Sequence, residues 1–327
     1  MSAGGRPRVS VVVCTYSEAR LDKLGACLEA IRAQRYPADE IVLVVDHNDR
    51  QLAHARATYA GVCVVENDRP RGCSGARNCG ASHATGDIVA FIDDDACADP
   101  GWLEALIAPY DNTTVLGTTG HVVAQWPGRR PSWLPPEFDW VIGCSYQGLP
   151  EETAPVRNLW GTASSVRRSV FEEVGGYNEV LGRIGSIPVG CEDTEFCIRV
   201  RNRFPDAVFL YVTPARAEHH IDEARARLRY FVRRCYGEGL SKAAVTRSVG
   251  TTSGLATERA YVAHVLPAAV SLGLKRAARG ELAGLARASA IVLGLAATSV
   301  GYLRGTLIPA VTAEGISVGS AQADSTV

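Results

Sequence analysis

Strands alternating with helices over the first hundred residues predict an α/β fold with a doubly wound parallel sheet. Two observations carry this reading. Four short β-branched runs, "RVSVVVCTY", "EIVLVVDHND", "GVCVVEND" and "DIVAFIDDD", are separated by segments of helix length. "VSVVV" and "IVLVV" are apolar without alternation, the pattern of strands covered on both faces.

The intervening segments fit in turn. After the first run, Leu21, Leu24, Leu28 and Ile31 recur at helical spacing and Pro37 closes the segment. "RQLAHARATYAG" is helix-length and ends in Gly61, and "SGARNCGASHATGD" forms a third helix before the fourth strand. "PGWLEALIAPY" follows, with Asp99 before Pro100 placed to cap it. From about residue 115 the alternation decays. "VLGTTGHVVAQW" reads as a strand pair, "PGRRPSWLPPEFDW" as a loop rich in Pro and Trp, and "AVFLYVTPARAEHH" as one or two strands. The remainder is helical, and no internal repeat is visible. The division expected is a lead (1–8), a mononucleotide-binding α/β half (9–114), a mixed acceptor half of the same domain (115–245), a helical segment that could associate with a membrane (246–312) and a disordered tail (313–327).

The 327 residues are 46% hydrophobic and 21% charged, with a formal net charge of −1. No global field recruits nucleic acid, so any basic site is local. The ten cysteines show no C-x-x-C pair and read as reduced packing residues of a cytoplasmic protein. The stretch "MSAGGRPRVSVVVCTY" has too little apolar length for a signal peptide.

The run "DIVAFIDDDACADPGWLE" ends a buried strand in three aspartates, which repel one another and are costly to desolvate. Alternation points Asp93 and Asp95 to one side. Ligands of open α/β sheets bind outside the carboxyl ends of the strands. Two carboxylates facing one way there make a site for a hard divalent cation. The bland alternative is helix capping, a role that Asp99 fills.

Taken together, "VVVCTYSE", "VVDHND", "SGARNCGASHATGD", "FIDDDA", "GTASSVRRSVFEEVGGYNE", "CEDTEFCIR" and "ARAEHH" resemble, over roughly residues 9–240, the family 2 inverting glycosyltransferases of GT-A fold. From "PPEFDWVIGCSYQGLP" through "CYGEGLSKA" the chain is similar to the glucuronosyltransferases that extend glucosyl-dolichyl phosphate. The resemblance implies a UDP-sugar donor, Mn²⁺ or Mg²⁺, and a glycan or lipid-linked sugar acceptor. Thr15, Tyr16 and Glu18 would lie along the nucleotide, and Asp46 would accept from the base. Arg77 would reach the nucleotide, and Asp93 the ribose or the metal. Asp94 would meet ribose or donor sugar. Asp95 would ligate the metal with His219, His220 being the alternative. Asp193 would be the base that deprotonates the acceptor, oriented by Glu192, although acids at a helix N-terminus are favourable in any protein.

Other residues remain open. Leu228, Phe231, Val232 and Cys235 form the stripe of an amphipathic helix. Its basic residues Arg233, Arg234 or Lys242 either form a solvated face or neutralise donor or lipid phosphate. Arg157, Asn158 and Trp160, preceding the acceptor-side "GTASS", could read a carboxylate or hydroxyls, Trp160 being a candidate phosphate or acceptor contact. The loop "NEVLGRIGSIPVGCE" suits a lid closing over donor. Residues 260–274 and 288–303 lack charges but fall short of the roughly 20 residues of a spanning helix. With Lys275, Arg276, Arg279, Arg287 and Arg304 beside them, they suit a helical pair in the inner leaflet, a buried hairpin or oligomer contact being the rival reading. The oligomeric state is not legible. Among rival functions, a dinucleotide dehydrogenase lacks its glycine-rich turn in "CTYSEAR", and a haloacid-type phosphatase lacks its nucleophilic Asp. The rival of another class is an inactive sugar-nucleotide sensor.

Overall fold

The computed structural model describes residues 6–182, 190–249 and 261–308. The alternating first half forms as the pattern predicts: β1 (Val9–Thr15), α1 (Leu21–Arg32), β2 (Glu40–Val45), α2 (Asp49–Thr58), β3 (Cys63–Glu66), α3 (Cys73–His83) and β4 (Ile88–Asp93). Then come β5 (Ala96–Ala98), α4 (Trp102–Ile107), β6 (Val115–Gln125), β7 (Ala154–Val156), β8 (Ala163–Arg167), α5 (Arg168–Val174), α6 (Glu192–Arg203) and β9 (Val208–His220). Three long helices follow: α7 (Leu228–Val249), α8 (Leu266–Ala278) and α9 (Leu282–Leu307).

One nine-stranded sheet runs in the order β3-β2-β1-β4-β8-β6-β9-β5, with β7 on β9. Strands β1 to β4 are mutually parallel. The second half turns mixed, because β8 is antiparallel to β4 and β6, while β6 and β9 are parallel. Side chains alternate between two cores. Val9, Val11 and Val13 enter the core under α1 and α4, and Val12, Val42 and Val44 the core under α3 and α6. All ten cysteines are free thiols.

Three local expectations are corrected. "VLGTTGHVVAQ" is one strand with register shifts at Val115/Gly117 and Gly120/His121, since β9 pairs with it from Val115 to Gln125. Asp99 gives α4 no side-chain cap. Its carboxylate goes to Arg216 (3.1 Å), and its carbonyl accepts from Trp102 N–H (2.9 Å). The charge-free run 288–303 is the middle of a helix of 26 residues, which is long and apolar enough by length and composition to cross a membrane. The proposed lid lies partly, and the 313–327 tail wholly, outside the described residues.

Helix α9 is seated against α7 through glycines. A Cβ on Gly301 would lie 2.1 Å from the Tyr236 carbonyl, one on Gly239 2.0 Å from that of Thr298, and one on Gly294 2.6 Å from the Phe138 ring. The opposite side of the helical layer is apolar and exposed, including Leu272, Leu282, Val292, Val300, Leu303 and Leu307. Gly301→Val should therefore lower stability by about 2 kcal/mol or more in urea unfolding, because backbone atoms cannot yield to it. Gly25→Ala, in the open interior of α1, should be neutral or stabilising by up to about 1 kcal/mol. Equal effects at the two positions would contradict this packing.

Candidate functional site

The carboxyl ends of β1, β2 and β4 converge with the end of β9 and the start of α6. Asp93 is the last residue of β4, and a turn through Asp94 and Asp95 leads into β5. As alternation requires, Asp93 and Asp95 share a side, and His219 completes a trio whose ligand atoms all lie within 4.8 Å of one another. His219 Nε2 is 3.1 Å from Asp95 Oδ1, and Gly143, in the left-handed region at φ 81°, leaves room for the ring. His220 faces the other way, toward Cys97. Two carboxylates and an imidazole, with buried Asp95 Oδ2 lacking any hydrogen-bond partner, fit a divalent cation such as Mn²⁺.

Asp94 turns inward. Its Oδ2 accepts from Thr15 Oγ1 (2.6 Å), which accepts from Gln51 Nε2 (2.7 Å), and its Oδ1 accepts from Arg20 (2.6 Å). Both Thr15 and Asp94 are 1% exposed, so the nucleotide contact expected of Thr15 and the ribose or sugar contact expected of Asp94 find no exposed surface. Burial raises the Asp94 carboxyl to about 6, opposed by Arg20. Asp95 goes the other way: burial opposes ionisation, but His219 and the guanidiniums of Arg20 and Arg225 hold it well below the usual range. Arg20 Nη1 lies 3.2 Å from Asp95 Oδ2, and Arg225 Nη2 3.6 Å from it. Sequence reasoning missed both arginines. Arg20 belongs to a short turn (Glu18–Arg20), and Arg225 to another (Glu223–Ala226), where no periodicity marks them.

Asp46 also serves the fold. Asn67 Nδ2 (2.6 Å) and the Gly72 N–H (3.0 Å) donate to its two oxygens, fixing the turn into α3. Tyr16 is 41% exposed and offers an open ring at the cleft, and Glu18 is exposed beside it.

Arg77 is the hinge between the two acidic groups. Buried on α3, it reaches Asp93 (3.2 Å), Glu192 (3.2 Å) and Asp193 (3.7 Å), so the end of β4 and the first turn of α6 share one guanidinium. A Cβ on Gly161 would strike that guanidinium at 2.1 Å. Gly161 N–H also donates to Asp193 Oδ2 (3.0 Å), leaving Oδ1 buried without a hydrogen-bond partner. Burial, then the neighbouring charge of Glu192, raises the Asp193 carboxyl to about 7, with Arg77 opposing. On the same loop Asn158 Oδ1 and Trp160 Nε1 are likewise buried without partners.

Helix α7 fixes the entry to α6. Gly190 N–H donates to Ser241 Oγ (2.9 Å), and Cys191, at φ 68°, donates through Sγ to Glu238 (3.1 Å). Arg234 (2.8 Å) and Lys242 (3.5 Å) pair with Glu238, holding it at about 2 against its burial. The structure thus separates the basic residues singled out in the sequence. Arg234 and Lys242 turn inward, whereas Arg233 is exposed. The predicted stripe is also rotated: Phe231 and Cys235 are buried, but Leu228 is 48% exposed, because the inner face is given to the Glu238 ion pairs.

The comparisons agree with this geometry. The profile described as Glycosyl transferase family 2 matches residues 10–175. The glucosyl-dolichyl phosphate glucuronosyltransferase of Haloferax volcanii is 36% identical over 307 residues, 92% of this chain and 97% of that protein. Among solved structures, a mannosyltransferase from Pyrobaculum calidifontis in complex with GDP-Man and Mn²⁺ is similar at a TM-score of 0.58 and 20% identity, covering 92% of this chain and 88% of that one. GalNAc-T7 with UDP, GalNAc and Mn²⁺ is similar at a TM-score of 0.51 and 19% identity, covering 77% and 53%.

A carboxyl whose folded-state value stands near 7 against an ordinary 3.8 favours the protonated native state. Its contribution is complete at low pH and is lost as pH rises between those two values, at up to about 1.4 kcal/mol per pH unit. Asp193→Asn should therefore gain stability relative to the parent chain across that interval and plateau above it. A stability difference independent of pH in chemical denaturation would show that Asp193 ionises normally.

Proposed function

The chain belongs to glycosyl transferase family 2, and on that premise we propose that it moves a sugar from a UDP-sugar to a hydroxyl of a lipid-linked acceptor with inversion at the anomeric carbon. One observation carries the reading: the Asp193 carboxyl, raised to about 7 and with one buried oxygen free of hydrogen bonds, stands across Arg77 from the D-x-D end of β4. A base poised near neutrality suits removal of a hydroxyl proton.

In this reading Tyr16 offers its open face to the base of the nucleotide, Glu18 lies beside it and Asp46 borders it. Arg77 steadies the ribose end of the donor through Asp93. Asp93, Asp95 and His219 would hold Mn²⁺ or Mg²⁺, whose chemistry there is to neutralise the charge gathering on the departing diphosphate. Asp193 Oδ1 takes the proton as the acceptor oxygen attacks the anomeric carbon, and the bond from that carbon to the diphosphate oxygen breaks with its electron pair leaving on UDP. Glu192 keeps Asp193 high in its range and shares Arg77. Asn158 Oδ1 and Trp160 Nε1, unpaired on the loop that bonds Asp193, are suited to acceptor hydroxyls.

The outer surface supports a lipid-linked acceptor. Between α7 and α9 runs an apolar groove of about 700 Å³ lined by Leu228, Val232, Tyr236, Leu293 and Val300. Arg229 and Arg233, exposed on its rim one turn apart, have no ion pair among the described residues. An isoprenoid chain in the groove with its phosphate on these arginines fits both surfaces. The exposed apolar face of α8 and α9 would then rest on the cytoplasmic leaflet, where the donor is available. Lys275, Arg276 and Arg279 stand at the turn between the two helices, ready for anionic headgroups.

Asp193→Asn should retain UDP binding by calorimetry with Mn²⁺ while transfer falls by about 10³-fold or more. Product from an α-configured donor should be β-linked by NMR, and an α-linked product would sink inversion. Replacing Arg229 and Arg233 together by Glu should raise KM for a polyprenyl-phosphate-linked acceptor about tenfold or more and leave KM for the donor unchanged. A change in donor KM alone would move these arginines to the nucleotide side.

A further inference from the structure

We propose that Arg20 is a built-in counter-cation of the aspartate cluster, which a divalent cation and a nucleoside diphosphate displace together and which then pairs with the diphosphate. The inference rests on the transferase reading above and adds a residue that neither the sequence motifs nor their resemblance marks.

The placement of Arg20 is specific. The Ser17 carbonyl accepts from Arg20 N–H (3.1 Å), and Ser17 Oγ accepts from Ala19 N–H (3.4 Å), so the turn leaving β1 aims the side chain back over the cleft. Its Nη1 touches Asp94 Oδ1 (2.6 Å) and Asp95 Oδ2 (3.2 Å), and its guanidinium carbon stands 5.0 Å from the centroid of the exposed Tyr16 ring. It therefore bridges the buried acids and the open face offered to a nucleotide.

Two cations cannot share the Asp95 carboxylate without repelling each other. The oxygen facing Arg20, Asp95 Oδ2, has no hydrogen bond and is held by charge alone, so exchanging the cation there breaks no hydrogen bond to Asp95; the directed contact that Arg20 gives up is its hydrogen bond to Asp94 Oδ1 (2.6 Å), which pairing with a diphosphate replaces. Arg225 also faces this oxygen, but it is anchored by the Ile142 carbonyl and lies 3.3 Å from His219 Nε2. Arg20 has no backbone anchor: its guanidinium is held by the hydrogen bond to Asp94 Oδ1 (2.6 Å) and the ion pair with Asp95 Oδ2 (3.2 Å). Beyond the two carboxylates its contact is the Tyr16 ring, along which a guanidinium can slide while staying stacked. A diphosphate resolves the conflict because it brings the negative charge that both cations need. The consequence is synergy: metal alone competes with Arg20, whereas metal with diphosphate recruits it.

Arg20→Gln tests this in the full-length protein, with Mn²⁺ binding followed by the EPR signal of the free ion and UDP binding by calorimetry. Relative to the parent chain, Mn²⁺ alone should bind about tenfold tighter, and UDP at saturating Mn²⁺ about tenfold weaker. The factor by which UDP strengthens Mn²⁺ binding should shrink accordingly. Arg20→Lys, which keeps the charge but not the fork, should retain the weak binding of metal alone and recover only part of the UDP affinity. Weaker Mn²⁺ binding in Arg20→Gln would make Arg20 a strut that shapes the site, and unchanged binding of both ligands would make it a bystander. Either result overturns the inference while leaving the transferase reading intact. Failure of the parent chain to bind Mn²⁺ and UDP at all would overturn both.

Discussion

A single guanidinium holds the two halves of the site in register. Arg77 is 5% exposed and has carboxylates of Asp93, Glu192 and Asp193 within 3.7 Å. Asp93 ends a strand of the first half, and the other two begin a helix of the second, so their separation is set by what one planar cation can span. Without it, three crowded carboxylates, Glu192 buried and Asp93 and Asp193 partly so, would carry a desolvation and repulsion cost. With it, the charge remains under-compensated: three acids share one cation, and Asp193, the farthest of them, keeps its proton to about 7. The shortfall in charge is the property that a proton acceptor at this place requires. Gly161 belongs to the same constraint, because any side chain there would occupy the space of the guanidinium.

Much of this was legible in the sequence where the physics is local. Strands β1, β2 and β4 were readable because burial on both faces forces unbroken apolar runs, the edge strand β3 by its valine pair, and α1 because its inner face repeats at 3.6 residues. The period of two along β9 lets only one of His219 and His220 face the acids, and the structure makes it His219; Asp93 and Asp95 share a side as expected, although a turn rather than extended chain joins them. What the sequence hid is non-local. Arg20 and Arg225 sit in short turns with no pattern to betray them, yet they are the nearest positive charges to Asp95. Asp46 reads equally well as ligand contact or turn residue until Asn67 and Gly72, more than twenty positions away, are seen to engage both its oxygens. The phase of α7 misled for a related reason: the apolar stripe points to one face, but buried ion pairs around Glu238 claim the adjacent one and turn Leu228 outward.

The cysteines and glycines follow the same division. Cys191 looks like one more packing thiol, whereas its left-handed backbone begins α6 and its Sγ donates to Glu238. The glycines of α9 look like weak points in a marginal membrane segment. In the fold they are points of close approach: Gly301 to the Tyr236 carbonyl and Gly305 to the Ala243 Cβ of α7, Gly284 to the Gly273 carbonyl of α8, and Gly294 to the rings of Phe138 and Phe231. A sequence window scores composition, and composition does not say which side of a helix is already taken.

Helix α7 therefore joins chemistry to surface. One side, through Ser241 and Glu238, grips the residues that introduce Glu192 and Asp193. Another side, through Tyr236 and Gly239, is locked to α9, whose outer face is the exposed apolar layer. The glycine seam tolerates little sliding where its contacts are to backbone, as at Gly301 against the Tyr236 carbonyl and Gly239 against that of Thr298. The apolar layer and the acidic pair are thus joined through one helix. An acceptor whose tail settles in the groove of α7 and α9 would have its sugar positioned relative to Asp193 by the same helix. Binding far from the reacting atoms would then contribute to orientation at them, and orientation lowers the barrier only when the intervening structure does not yield.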